Sequence, residues 1–102
     1  MIELDDRTFM PTLKVSSPML VMFHAKWAGP CNLALPNFQS VAQRRGNEVI
    51  FATFDLEDNP KIPAAYNVRA LPLFLSFFDG KPVGMKAGAI TEELIESMCD
   101  AD

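Results

Sequence analysis

The apolar and polar positions divide the chain into short elements. Pro18 to His24 (PMLVMFH) is apolar at nearly every position before His24, with no polar alternation. Such a run predicts a strand covered on both faces, so helices must lie above and below its sheet. Upstream, Arg7 to Val15 carries Phe9, Leu13 and Val15, and Asp5 or Asp6 stands where a cap is needed. This predicts a short helix with Pro11 inside it. Downstream, Asn32 to Arg45 has Leu33, Leu35, Phe38, Val41 and Ala42 at roughly helical spacing. Pro36 should kink that helix and Gly46 should stop it. Glu48 to Phe54 (EVIFATF), rich in β-branched and aromatic residues, predicts a second buried strand.

Asp55 to Asn59 is an acidic loop, and Pro60 suits the first turn of a short helix through Tyr66. A third apolar run, Leu71 to Phe78, ends at Asp79-Gly80, a hairpin signal. Lys81 to Ala87 is then the return strand. Thr91 can cap a last helix with Ile90, Leu94, Ile95 and Met98 on one face. Alternating strands and helices followed by a hairpin predict a mixed sheet between helices, an α/β fold in one domain over residues 1–102.

Composition narrows the function classes. Lys plus Arg is 9 and Asp plus Glu is 13, a formal charge of −4. That balance argues against direct nucleic-acid binding. Two cysteines, Cys31 and Cys99, are too few for a disulfide scaffold. The acidic start lacks the features of a signal peptide, and no apolar stretch has the length of a membrane span. A cytoplasmic chain without membrane attachment is therefore expected. One histidine and two distant cysteines give no ligand spacing, so neither a metal nor another cofactor is expected.

The candidate chemistry lies at Trp27-Ala28-Gly29-Pro30-Cys31, where the first strand runs into a proline-containing helix. Four further features follow in order: Asn59-Pro60, Arg69-Ala70-Leu71-Pro72, Asp79-Gly80-Lys81 and Ala87-Gly88-Ala89. Together these resemble the thioredoxin family over nearly the whole chain. The resemblance implies the thioredoxin fold, a central mixed β-sheet flanked by helices on both faces, with a cis peptide bond at Pro72. It also implies a groove for extended peptides formed by Trp27, Gly29, Pro30, Leu71, Pro72, Ala87, Gly88 and Ala89. Ala70 stands where the family usually has glycine.

The family motif is W-C-G-P-C, whose first cysteine attacks a disulfide and whose second resolves the mixed disulfide. Ala28 occupies the nucleophile position and Cys31 the resolving position. A methyl group cannot attack sulfur, and dithiol exchange needs two thiols. The family also carries a buried aspartate six residues before the first motif cysteine, and here Met22 stands there. Thr53 stands where a lysine of the next strand commonly accompanies that aspartate. Met22 is read as core, and His24 as a partly exposed residue in place of an aromatic. Cys31 is read as a small buried residue and Cys99 as semi-exposed and incidental.

Two readings remain open. In one, the chain binds partners through its groove without dithiol chemistry, as a scaffold subunit, a chaperone-like binder or a member of a replication complex. In the other, the natural chain is a thiol–disulfide oxidoreductase, served by a thioredoxin reductase, and alanine was introduced at position 28. A monothiol enzyme using Cys31 alone ranks below both.

Overall fold

The computed structural model describes residues 1–14, 17–88 and 90–100. Five strands form one mixed sheet: β1 (Ile2–Leu4), β2 (Met19–His24), β3 (Ile50–Asp55), β4 (Leu73–Phe78) and β5 (Lys81–Ala87), in the order β1-β3-β2-β4-β5. β3 runs parallel to β1 and β2, whereas β4 runs antiparallel to both β2 and β5. Four helices complete the chain: α1 (Phe9–Leu13), α2 (Gly29–Arg45), α3 (Lys61–Ala65) and α4 (Glu92–Cys99).

The apolar runs form central strands because both of their faces are covered. Leu20 and Met22 of β2 join Phe51 and Phe74 beneath α2 and α4. Val21 and Phe23 point the other way and pack with Ala52, Phe54, Leu73 and Leu75 against α1 and α3. The expected sheet between two helical layers is therefore observed. Asp79 (φ 54°) and Gly80 (φ 80°) both take left-handed backbone, the geometry of a tight two-residue hairpin between β4 and β5.

Several boundaries and faces differ from expectation. No residues were assigned to β1 from the sequence: three residues with a glutamate in the middle show no period. Glu48 and Val49 precede β3, which begins at Ile50. α1 begins at Phe9, and Val15, assigned to it from the sequence, lies outside the described residues. Asp5 accepts from the amides of Arg7 and Thr8 in the turn before α1. Asp6 instead reaches across the fold and accepts from the Lys61 and Ile62 amides at the start of α3.

α2 starts at Gly29 rather than Asn32 and continues through Pro36. Its buried face is Cys31, Ala34, Phe38 and Val41, and Leu33 is 70% exposed. Gly46 follows α2 as its cap residue, in right-handed backbone (φ −63°, ψ −18°), where a Cβ would stand 2.7 Å from the Ala42 carbonyl oxygen. Thr91 caps α4 as expected, accepting from the Leu94 amide. Leu94 itself points outward, and Ile95, Met98 and Cys99 form the buried face. Arg44 and Arg45 at the end of α2 bond Glu92, Glu96 and Asp100 of the α4 segment, clamping the two helices together.

Candidate functional site

Sheet topology brings three distant stretches to one end of the molecule. β2 is antiparallel to β4, with Phe23 opposite Leu73, so the exit of β2 lies beside the entry to β4. β4 is antiparallel to β5, with Leu73 opposite Ala87, so the exit of β5 joins them. The Trp27–Cys31 turn, the Leu71–Pro72 segment and Ala87-Gly88 are thereby gathered. Ala89 lies outside the described residues.

The turn into α2 is built from short backbone bonds. The Ala28 amide donates to the Ala25 carbonyl at 3.1 Å, and the Cys31 amide donates to the Ala28 carbonyl at 3.0 Å. Ala28 has extended backbone (φ −94°, ψ 98°) and stands at the cap of α2, with Pro30 in the first turn. Pro30 has no N–H to leave unpaired there. Ala28 has no side-chain oxygen to accept from the first-turn amides. With Pro30 lacking an N–H and the Cys31 amide bonded to the Ala28 carbonyl, the helix start sets the positive end of the backbone dipole beside a methyl group.

Exposure sorts the motif residues into two sets. Trp27 is 76% exposed, and Gly29 and Pro30 are exposed beside it. Ala28 and Cys31 are buried in the core beneath α2, where Leu71 packs against the same cluster. The Leu71–Pro72 peptide is cis. Pro72 is buried, and its carbonyl accepts from the Gly88 amide at 2.9 Å. Gly88 has φ +93° with open space around it, so it presents bare backbone at the surface. An exposed indole, a buried proline and a half-buried glycine thus lie at one end of the sheet.

Both cysteines are free and buried. Cys99 was expected to be semi-exposed; packing of α4 against α2 encloses it. Burial pushes its thiol up to about 11. That thiol is therefore overwhelmingly protonated at neutral pH and a poor nucleophile. Labelling of the native chain with a disulfide reagent at pH 7 should be slow at both sulfurs, with two thiols released at once in guanidinium. Rapid stoichiometric labelling of Cys31 in the native chain would revive the monothiol reading.

Met22 and Thr53 face one another in adjacent strands, Met22 being fully buried. Dispersion and apolar burial hold this part of the core without an ion pair. His24, half-buried, borders a cavity of about 400 Å³ with Glu3, Leu35, Gln39 and Thr53. Glu3 and Gln39 were not singled out from the sequence. Glu3 reaches this cavity because β1 places it opposite Thr53. Among the described residues, no group of three His, Cys, Asp or Glu side chains could hold a metal ion. No helix among them is long and apolar enough to cross a membrane.

Comparison with known proteins bears on the whole chain. The thioredoxin family model matches residues 1–101. The chain is 33% identical over 97 residues to the thioredoxin of Acidithiobacillus ferridurans, covering 95% of this chain and 90% of that protein. It is 31% identical over 96 residues to thioredoxin 1 of Synechococcus elongatus, covering 93% and 90%. It is 36% identical over 101 residues to the chloroplastic thioredoxin X of Arabidopsis thaliana, covering 96% of this chain and 56% of that protein.

Proposed function

The chain belongs to the thioredoxin family, and from that premise we propose that it holds extended segments of partner proteins in its groove without dithiol–disulfide exchange. The groove runs between Trp27, the Leu71–Pro72 peptide and Gly88. Ala28 carries this reading. In exchange, one thiolate attacks a disulfide sulfur and forms a mixed disulfide, and a second thiolate attacks that bond to free the product. Cys31 has no second sulfur three residues away. Cys99 offers no substitute, being buried in α4 with its thiol pushed up to about 11.

The core around the motif supports the same reading. Met22 and Thr53 provide no carboxyl–ammonium pair through which a proton could pass to or from Cys31. The binding surface does not depend on either loss. Trp27 offers a large apolar face, and the chain beside Pro72 and Gly88 offers backbone groups, the elements by which extended peptides are held.

Immobilised chain should capture proteins that elute with salt or competing peptide rather than with reductant. Trp27→Asp and Leu71→Asp should each lose them, while Cys31→Ser should keep them. Release only by dithiothreitol, or capture unaffected by both groove variants, would sink the proposal.

One arrangement favours a second reading. Gly29, Pro30 and Cys31 form the start of α2, and Leu71–Pro72 is cis. Position 28 is thus the one altered residue of the motif itself. On this reading the natural chain reduces protein disulfides with cysteine at position 28, and its partner includes a thioredoxin reductase.

A further inference from the structure

β5 is the last strand of the sheet, and six of its seven residues are exposed. Its inner side bonds β4, while its outer backbone N–H and C=O groups face no neighbouring strand among the described residues. Such an edge accepts an added strand unless something blocks it. The first half of β5 is blocked. Pro82 has no N–H to offer, and the register with β4 shifts between Ser76 and Phe77. From Gly84 to Ala87 the register is unbroken.

Side chains on that open half alternate between two surfaces. Met85, 65% exposed, stands opposite Leu75 and borders a hollow of about 340 Å³ with Tyr66, Leu75, Pro82, Val83 and Gly84. Lys86 stands opposite Phe74 on the other surface, and Lys81 lies on that surface further along. Both lysines are exposed. The ion pairs among the described residues all belong to Arg44 and Arg45, so neither lysine has a carboxylate partner there. Lys81 and Lys86 thus put two cations on this edge of a chain of net charge −4, with Asp79 in the adjoining hairpin turn.

From these features we infer that Gly84–Ala87 accepts, as an added strand, an extended acidic segment of a partner protein in which apolar and Asp or Glu residues alternate. Its apolar side chains enter the Met85 hollow, and its carboxylates fall on the Lys86 surface. The two-residue period of a strand requires that alternation. A second copy of β5 fits worse, because it would bring its own lysines to the edge and set like charges against each other. The surface serves whether or not the groove beside Trp27 is a binding site.

The probe is a fluorescein-labelled peptide of alternating aspartate and leucine, read by anisotropy against the full chain at low salt. Saturable binding is expected. A peptide of the same composition with its leucines grouped should bind roughly tenfold more weakly or worse. Met85→Asp and Lys86→Glu should each weaken the alternating peptide about tenfold or more, and Lys86→Glu should gain binding to an alternating lysine–leucine peptide. Trp27→Asp should leave all of this unchanged. Met85 and Lys86 are exposed, so circular dichroism and the unfolding midpoint should match the parent. Absence of saturable binding, equal binding of the grouped peptide, insensitivity to both β5 variants, or loss with Trp27→Asp overturns the inference.

Discussion

Ala28→Cys is expected to turn this chain into one that reduces insulin disulfides with dithiothreitol, at least roughly a hundredfold faster than the parent chain. Position 28 caps α2 in extended backbone, and the Cys31 amide already bonds its carbonyl. A sulfur there would meet the positive end of the helix dipole, which favours a thiolate. It would also stand one turn from Cys31, the spacing from which a disulfide can close. The oxidised variant should show that bond by mass spectrometry, and Ala28→Cys with Cys31→Ser should lose turnover.

The gain has a ceiling set by the core. Met22 is fully buried opposite Thr53, so neither position supplies a carboxyl to take the Cys31 proton during resolution. Installing one by Met22→Asp would bury an uncompensated acid and destabilise the fold. Each outcome therefore sorts the two readings. Turnover by the parent chain at a rate comparable to Ala28→Cys would refute the non-redox proposal. A variant that folds, carries both thiols and still fails to reduce insulin would count against oxidoreductase ancestry, with Met22 the leading cause.

The three central strands were legible because strands covered on both faces leave continuous apolar runs, and β2, β3 and β4 are such strands. Helices were legible in extent but not in orientation. Leu33 and Leu94 satisfy helical spacing yet face outward, because spacing cannot say which side the sheet lies on. On α2 the inner face uses the small residues Cys31 and Ala34 beside Phe38 and Val41. The residues of β1 carry no local signal because they become a strand only through pairing with β3. Glu3 is among them.

The site divided in the same way. The Trp27–Cys31 stretch was visible as a motif. Its meeting with Leu71–Pro72 and Gly88 depends on two antiparallel pairings that no local pattern encodes. Resemblance to a family supplied that link, and the sheet order accounts for it. Cys99 was misjudged from its place near the chain end, since terminal position says nothing about packing. Packing of Ile95, Met98 and Cys99 into the cluster with Phe38 and Val41 encloses it, and the Arg44 and Arg45 ion pairs bridge the same two helices.

Phe9→Ala should produce the largest loss of stability of any single side-chain truncation on the α1 side of the sheet, about 3–5 kcal/mol. Phe9 is fully buried, with its ring centroid 6.1 Å from Phe23, 5.9 Å from Phe54, 5.5 Å from Tyr66 and 5.7 Å from Phe77. One ring thus joins α1 to β2, β3, β4 and the end of α3. Truncation removes the apolar transfer term and leaves a cavity whose walls belong to the sheet and so collapse poorly. Small domains have only about 5–15 kcal/mol in total, so the variant should approach the limit of folding. Urea unfolding should show a markedly lower midpoint, and Phe9→Leu, which keeps most of the volume, should lie much nearer the parent. α1 has five residues with Pro11 among them, too short to persist by its own hydrogen bonds. Its attachment therefore rests on Phe9 and Leu13, and hydrogen exchange in the variant should rise first at α1 and last in β2. A Phe9→Ala midpoint close to the parent's would mean that this helix is held by something other than its buried ring.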